Sequence, residues 1–275
     1  MEIKILDQTN NLFNFEISGI DEVEANTIRR LLITETPTMA IEEIEFLKND
    51  CILYDEILAN RLGLIPLVTD LKGYNLPENC TCKGKGCSKC QALFSLESIG
   101  PKMVLSSELI CKDKNIKVAF DKMPITHLLD KQELKIIATA KLGFGKTHIK
   151  HAPCAVFFSN KPILKINNNS KKFSEFKNKY PKAVFKDGKL DEKSLLKDNL
   201  YDACEGICED ILKIEYEKDK FIFNLESFGQ LNPKEMLEAA IDSFNSKLDS
   251  FSKALKNTKP TIIKNIKNMG KKKSS

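Results

Sequence analysis

Residues 232–255, NPKEMLEAAIDSFNSKLDSFSKAL, open with helix-start chemistry and then repeat every seven residues. Asn232 suits the N-cap. Pro233 follows at the first helical position, where a missing N–H costs nothing and its fixed φ is already helical. Glu235 stands three residues after Asn232, a variant of the capping box. Beyond this start, Leu237, Phe244 and Phe251 are spaced by seven, and Ile241, Leu248 and Leu255 repeat that spacing four residues on. Apolar residues at alternating intervals of four and three form one narrow stripe. A helix laid on its own sheet usually shows a broader apolar face. The spacing therefore predicts a helix covered along this stripe by another chain.

Outward from that helix the pattern changes to alternation. Phe221, Phe223 and Leu225 alternate with polar neighbours, and so do Ile3 and Ile5, then Phe13, Phe15 and Ile17, which read as a hairpin with one apolar face. Asp21 opens a helical stretch carrying Val23, Ile28, Leu31 and Leu32, which Pro37 ends. Strands are expected at Met39–Phe46, Cys51–Tyr54, Leu93–Leu96, Met103–Ile110, Ile116–Phe120, Leu134–Leu142, Ala155–Phe158 and Ile163–Ile166. In the stretch from Leu134 to Leu142 the period of two is clear: Leu134, Ile136, Ala138, Ala140 and Leu142 share a face. Between the strands, Asp55 can cap a short helix with Ile57, Leu58 and Leu62, closed by Gly63 and Pro66. The mixture reads as an α+β protein. Residues 167–219 differ: lysines come first, then ten acids against five lysines between Asp191 and Lys220. This segment reads as an inserted module.

The chain has 275 residues, 42% hydrophobic and 29% charged, enough for a buried core in one large domain or two smaller ones. No run of 18 apolar residues is present, so no membrane-spanning helix is expected. The first residues lack a basic segment followed by an apolar one, and a cytoplasmic protein is expected. Net charge is +5, but the segment from Ser250 onward holds eight lysines and no acid. Without those eight charges the remainder carries −3, so the body lacks the basic face of a protein that reads nucleic acid with its core. The lysines at 259–275 read as a flexible, solvated tail.

Nine cysteines are present, and four of them, Cys80, Cys82, Cys87 and Cys90, fall within eleven residues together with Gly84 and Gly86. Four thiolates in one glycine-containing loop can close on a single ion and leave no open coordination position, which makes a structural zinc site the expected reading. The same ligands suit an iron–sulfur cluster, which stays as the rival occupant. Cys204 and Cys208 are two ligands short of a site: counting back from Cys204 in threes meets Tyr201 and Asp198, and Glu209 stands where a cluster-binding run would have proline. They read as ordinary cysteines on one helical face. His127, His148 and His151 sit in no acid–base motif, and Gly143–Thr147 only superficially resembles a phosphate loop. No catalytic residue is expected.

Four segments together resemble one family. They are Glu24–Leu32 (EANTIRRLL), Asp55–Leu67 (DEILANRLGLIPL), Gly143–Pro153 (GFGKTHIKHAP) and Glu226–Glu235 (ESFGQLNPKE). The sequence resembles the RNA polymerase family that unites the bacterial alpha subunit, the third-largest subunit of the eukaryotic enzyme and their archaeal counterpart. The resemblance runs from about residue 3 to 256. It implies a discontinuous dimerisation domain (1–38, 156–166 and 220–258), a β-rich domain inserted at 39–155 that holds the cysteine loop, and a ferredoxin-like insert at 167–219 that has lost most of its cysteines. It also implies a non-catalytic assembly platform within a nucleotidyl-transferring complex. The partners it implies are the smaller homologous subunit L, the second-largest subunit and small zinc-containing subunits, with no sequence-specific nucleic-acid contact and no membrane. The interface with subunit L would use Ile28, Leu31, Leu32, Leu237, Ile241, Phe244, Leu248 and Phe251, and Arg29 and Arg30 would face a large subunit. Cys154 replaces the tryptophan expected after the histidine loop. The alternative from a different class is a free-standing zinc-stabilised module that binds protein or nucleic acid.

Overall fold

The computed structural model describes residues 1–257. The basic segment 259–275 lies outside the described residues. The elements run β1 (Glu2–Gln8), β2 (Leu12–Ser18), α1 (Glu22–Thr34), β3 (Pro37–Asn49), α2 (Asp55–Gly63), β4 (Gln91–Ile99), β5 (Lys102–Leu105), β6 (Ile110–Cys111), β7 (Pro124–Leu128), β8 (Glu133–Phe144), β9 (Cys154–Ile166), α3 (Phe173–Phe176), β10 (Phe185–Lys186), β11 (Lys189–Leu190), α4 (Glu192–Leu196), β12 (Leu212–Ser227) and α5 (Pro233–Asn257). The class is α+β. Two compact units are present, one from Met1–Asp7, Asn14–Asn26 and Phe157–Asn224, the other from Gln8–Phe13, Thr27–Val156 and the chain from Leu225 onward.

In the first unit the sheet has the order β1-β2-β12-β9. Its core is aromatic: Phe15 stacks on Phe223 at 5.1 Å, and Phe158 meets Phe221 edge-on at 5.7 Å. The alternation of Phe15 and Ile17 places both inward, as the period of two requires. On β1 it fails to do so: Ile3 and Ile5 are both more than half exposed on this edge strand, with nothing among the described residues covering them. The strands expected at Ala155–Phe158 and Ile163–Ile166 are one strand. Pro162 lies within it, and β9 is the opposite edge of the sheet, the place where strands tolerate proline. The strand β12 begins at Leu212, but the alternation of buried residues starts at Phe221 and continues through Phe223 and Leu225. Residues 173–212 pack around a separate small core of Tyr180, Val184, Leu190, Leu195, Tyr201, Cys204, Ile211 and Leu212.

The second unit is built on the sheet β3-β8-β4-β6. β8 pairs antiparallel with β3 from Pro37↔Phe144 to Asn49↔Leu134 and with β4 from Gln91↔Lys141 to Ile99↔Glu133. Leu134, Ile136, Ala138 and Ala140 are almost fully buried, and Leu58 and Leu62 of α2 belong to the same core. Here the structure corrects the expected elements. Cys51–Tyr54 is a bend, because the Asn49 side chain binds locally: its Oδ1 accepts from Cys51 N at 3.1 Å and its Nδ2 donates to Leu53 O at 3.0 Å. Such a closed polar turn competes with strand pairing. Ile116–Phe120 makes only one isolated bridge, Leu67↔Val118. Met103–Ile110 is broken at Ser106, whose hydroxyl donates to Phe120 O at 2.5 Å and accepts from Met123 N at 3.1 Å. The segment Pro124–Leu128 becomes β7, paired with β5, although the sequence marked no strand there. Asp55 is the first helical residue of α2 rather than its cap, and Gly63 stays inside the helix, where a Cβ would make only ordinary contact with Ile41 O at 3.6 Å.

Candidate functional site

The four loop cysteines follow the turn Pro77–Asn79. Lys83, Gly84 and Gly86 have φ of 53°, 77° and 88°, the left-handed conformations that fold the chain back within a few residues. The turn closes through Lys83 N to Cys80 O at 2.9 Å and Cys90 N to Cys87 O at 3.0 Å. All four Sγ atoms then lie within 4.8 Å of one another. The Cys80–Cys87 and Cys82–Cys90 pairs are 3.5 Å apart and Cys87–Cys90 3.8 Å. A tetrahedron with metal–sulfur bonds of about 2.3 Å has edges of about 3.8 Å, so these residues fit one four-coordinate ion. Burial opposes ionisation of Cys82, but hydrogen bonds from Cys80 and Cys90 outweigh it and bring the thiol down to about 6. Burial pushes Cys90 up to about 12, and a bound cation would favour its thiolate form. Among the described residues this is the one group of three or more candidate metal ligands. Cys204 and Cys208 share no helical face: Cys204 ends a tight turn, Asp202–Cys204, and is buried in the small core with Cys208 beside it.

On α5 the expected start is present, with Asn232 Oδ1 accepting from Lys234 N at 3.0 Å. The Met236 and Ala240 side of the helix is buried. The heptad stripe is not. Leu237 is half-buried, and Ile241, Phe244, Leu248, Phe251 and Leu255 are 37–62% exposed. Lys247 forms an ion pair with Glu35, just after α1, at 2.5 Å. On α1, Asp21 and Glu24 form a capping box through each other's backbone N–H groups at 2.8 and 3.0 Å. Ile28 and Leu31 are half-buried, but Leu32 has no exposed surface and belongs to the chain's own core. Arg29 is half-buried and Arg30 exposed.

Three of the recognisable segments meet in the second unit. Gln230 O accepts from Thr69 N at 2.8 Å, just after α2 and its following loop, and Phe228 N donates to Pro153 O at 2.9 Å. Thr38 Oγ1 donates to His151 O at 2.6 Å, and the His151 ring Nδ1 lies 2.8 Å from Thr38 O. Burial lowers the His151 pKa and favours the neutral ring. Gly229 has φ +87° and passes Ala119 and Phe120 where a side chain would crowd them. Around this junction lies an open cleft of 640 Å³ with Leu64, Phe120, Met123, Ile149 and Phe228 in its lining. Sequence reading missed the cleft, because its walls come from five separate stretches of chain.

Residues 14–248 match the family model of the RNA polymerase Rpb3/Rpb11 dimerisation domain. The chain is 32% identical over 265 residues to DNA-directed RNA polymerase subunit Rpo3 of Methanosphaera stadtmanae, covering 91% of this chain and 97% of the relative. It is 35% identical over 246 residues to the Rpo3 subunit of Methanopyrus kandleri, covering 86% and 90%. With the Rpo3 subunit of Archaeoglobus fulgidus the identity is 31% over 257 residues, covering 92% and 97%. This chain belongs to the RNA polymerase Rpb3/Rpb11 dimerisation domain family.

Proposed function

We propose that this chain is the non-catalytic assembly platform of a DNA-directed RNA polymerase. It pairs with the smaller subunit L, and the pair then carries the large catalytic subunits. The observation that carries this reading is the bare stripe on α5, from Ile241 through Phe244, Leu248 and Phe251 to Leu255. Five large apolar side chains aligned and exposed on one helix are costly in water and are the composition of an obligate interface. Ile28, Leu31 and Leu237 would extend it, whereas Leu32 supports α1 from beneath. The dimerisation part would comprise 1–38, 156–166 and 220–258, with 39–155 as the inserted β-rich part and 167–219 as a further insert. Arg29 and Arg30 would hold carboxylates of the second-largest subunit in the fixed geometry of the guanidinium fork. The cleft beside Phe228 offers apolar area to small zinc-containing subunits.

One structural zinc ion in the Cys80–Cys90 loop is our reading of the metal centre. Sulfur–sulfur distances of 3.5–3.8 Å suit ligands of a single ion. An iron–sulfur cluster places its cysteines on different irons and spreads the sulfurs further. The ion would close the loop and carry no step of chemistry, since all four positions around it are taken. Co-expression with subunit L tests the platform role: the two chains should co-purify in equal amounts, while this chain alone aggregates. A stable monomer indifferent to subunit L overturns it.

A further inference from the structure

The whole-chain charge hides a sharp segregation inside the insert. Residues 171–197 hold nine lysines and four acids, a net +5, while residues 198–219 hold eight acids and two lysines. All nine lysines are exposed. Among the described residues, Lys172 is the one of the nine held in an ion pair, with Asp210 at 2.6 Å. Asp191, which Lys186 and Lys193 help keep ionised, is tied to the Ser194 N–H and hydroxyl at 2.9 and 2.8 Å.

The lysines converge on one hairpin. β10 and β11 are joined by Asp187 and Gly188, with φ of 52° and 77°, the tight turn that suits two short twisted strands. Lys186 and Lys189 are direct cross-strand partners. Like charges so placed destabilise a hairpin, and a solvated face that interleaved both signs would avoid the cost. A third ammonium joins them: Lys177 Nζ lies 3.7 Å from where a Gly188 Cβ would be and 5.7 Å from the centre of the Phe185 ring. Lys179 Nζ sits 4.4 Å from the Phe176 ring centre.

We propose that this lysine lobe, centred on Lys177, Lys186 and Lys189, binds the phosphate backbone of duplex DNA without reading its sequence. Clustered ammonium groups without carboxylate partners gain from phosphates by releasing the counterions condensed on the duplex. A single strand is the poorer fit, because it is held largely by base stacking on free aromatic faces. Here Phe176 and Phe185 carry ammonium groups over their rings, and Phe185 is also met edge-on by Phe173 and Tyr180. The assignment does not rest on the assembly role: the subunit L complex serves only as the soluble sample, and a failure of the two chains to co-purify would be seen before any DNA is added.

The test is fluorescence anisotropy of a labelled duplex of arbitrary sequence with the full-length chain in its complex with subunit L, titrated across salt concentrations. The variant Lys177→Ala/Lys186→Ala/Lys189→Ala should reduce the slope of log affinity against log salt by about 3. The corresponding triple Lys→Arg variant should keep the parent slope, and the melting temperature of neither variant should fall below that of the parent. Loss of binding with Lys271→Ala/Lys272→Ala/Lys273→Ala but not with the hairpin variant would overturn the assignment. So would tighter binding of a labelled single strand, or of polyglutamate at the same salt, which would make the surface one for RNA or for an acidic protein.

Discussion

A methyl group on Gly145 would overlap the carbonyl oxygen of Ile33, and it would also touch the Ala152 backbone. Gly145 adopts no left-handed conformation, so its reason is space rather than φ. The Gly145→Ala variant is therefore expected to lose about 3 kcal/mol of stability, the upper end of overpacking costs, measured as a shift of the denaturant midpoint. An unshifted midpoint would mean that the loop moves away at no cost. The sequence suggests a turn at this glycine, but it cannot show that the end of α1 lies against it. The same limit explains Leu31 and Leu32: adjacent apolar residues on one helix, the first half-buried and the second fully buried. Periodicity locates a stripe, and only packing tells which part of it the chain's own core consumes.

Of the elements, α5 shows the two uses of an apolar face most cleanly. Met236 and Ala240 are buried by the chain itself, and Phe244, Leu248 and Phe251 are left out. Substitutions on the two sides should separate. Met236→Ala removes buried contacts and is expected to cost about 2–5 kcal/mol in stability with pairing intact. Phe244→Asp should leave the melting temperature of the isolated fold nearly unchanged, retain the metal and abolish co-purification with subunit L. Equal effects of both variants on pairing would deny the stripe its separate role. The heptad spacing was legible because a helix repeats its faces at fixed intervals. The strands expected at Cys51–Tyr54 and Met103–Ile110 are interrupted because the Asn49 side chain closes a local turn and the Ser106 hydroxyl binds Phe120 O and Met123 N from a distant stretch.

At the scale of the molecule, the cysteine loop and the exposed stripe of α5 are distinct features, and the proposed roles have distinct failure modes. Metal analysis of the purified complex should give one zinc per chain, and stripping it with a chelator should expose the four thiols to alkylation while subunit L stays bound. A brown preparation with several irons per chain would replace zinc with a cluster, and loss of subunit L on chelation would show that the loop supports the interface. The cysteine cluster was readable in advance, since four cysteines and two glycines fall within eleven residues.

What composition and spacing settle here are features with short sequence range: the cysteine cage, the heptad stripe, the alternation of Leu134–Leu142 and the helix caps. Each is encoded within about two dozen residues, because local backbone geometry sets its period. Features assembled from distant segments needed the folded chain: the cleft walled by Leu64, Phe120, Ile149 and Phe228, the junction of Gln230 with Thr69, and the burial of Leu32. The lysine hairpin lies between the two. Its charges are plain in the sequence, but the pairing of Lys186 with Lys189 and the approach of Lys177 arise from a turn and a contact that no residue count reveals.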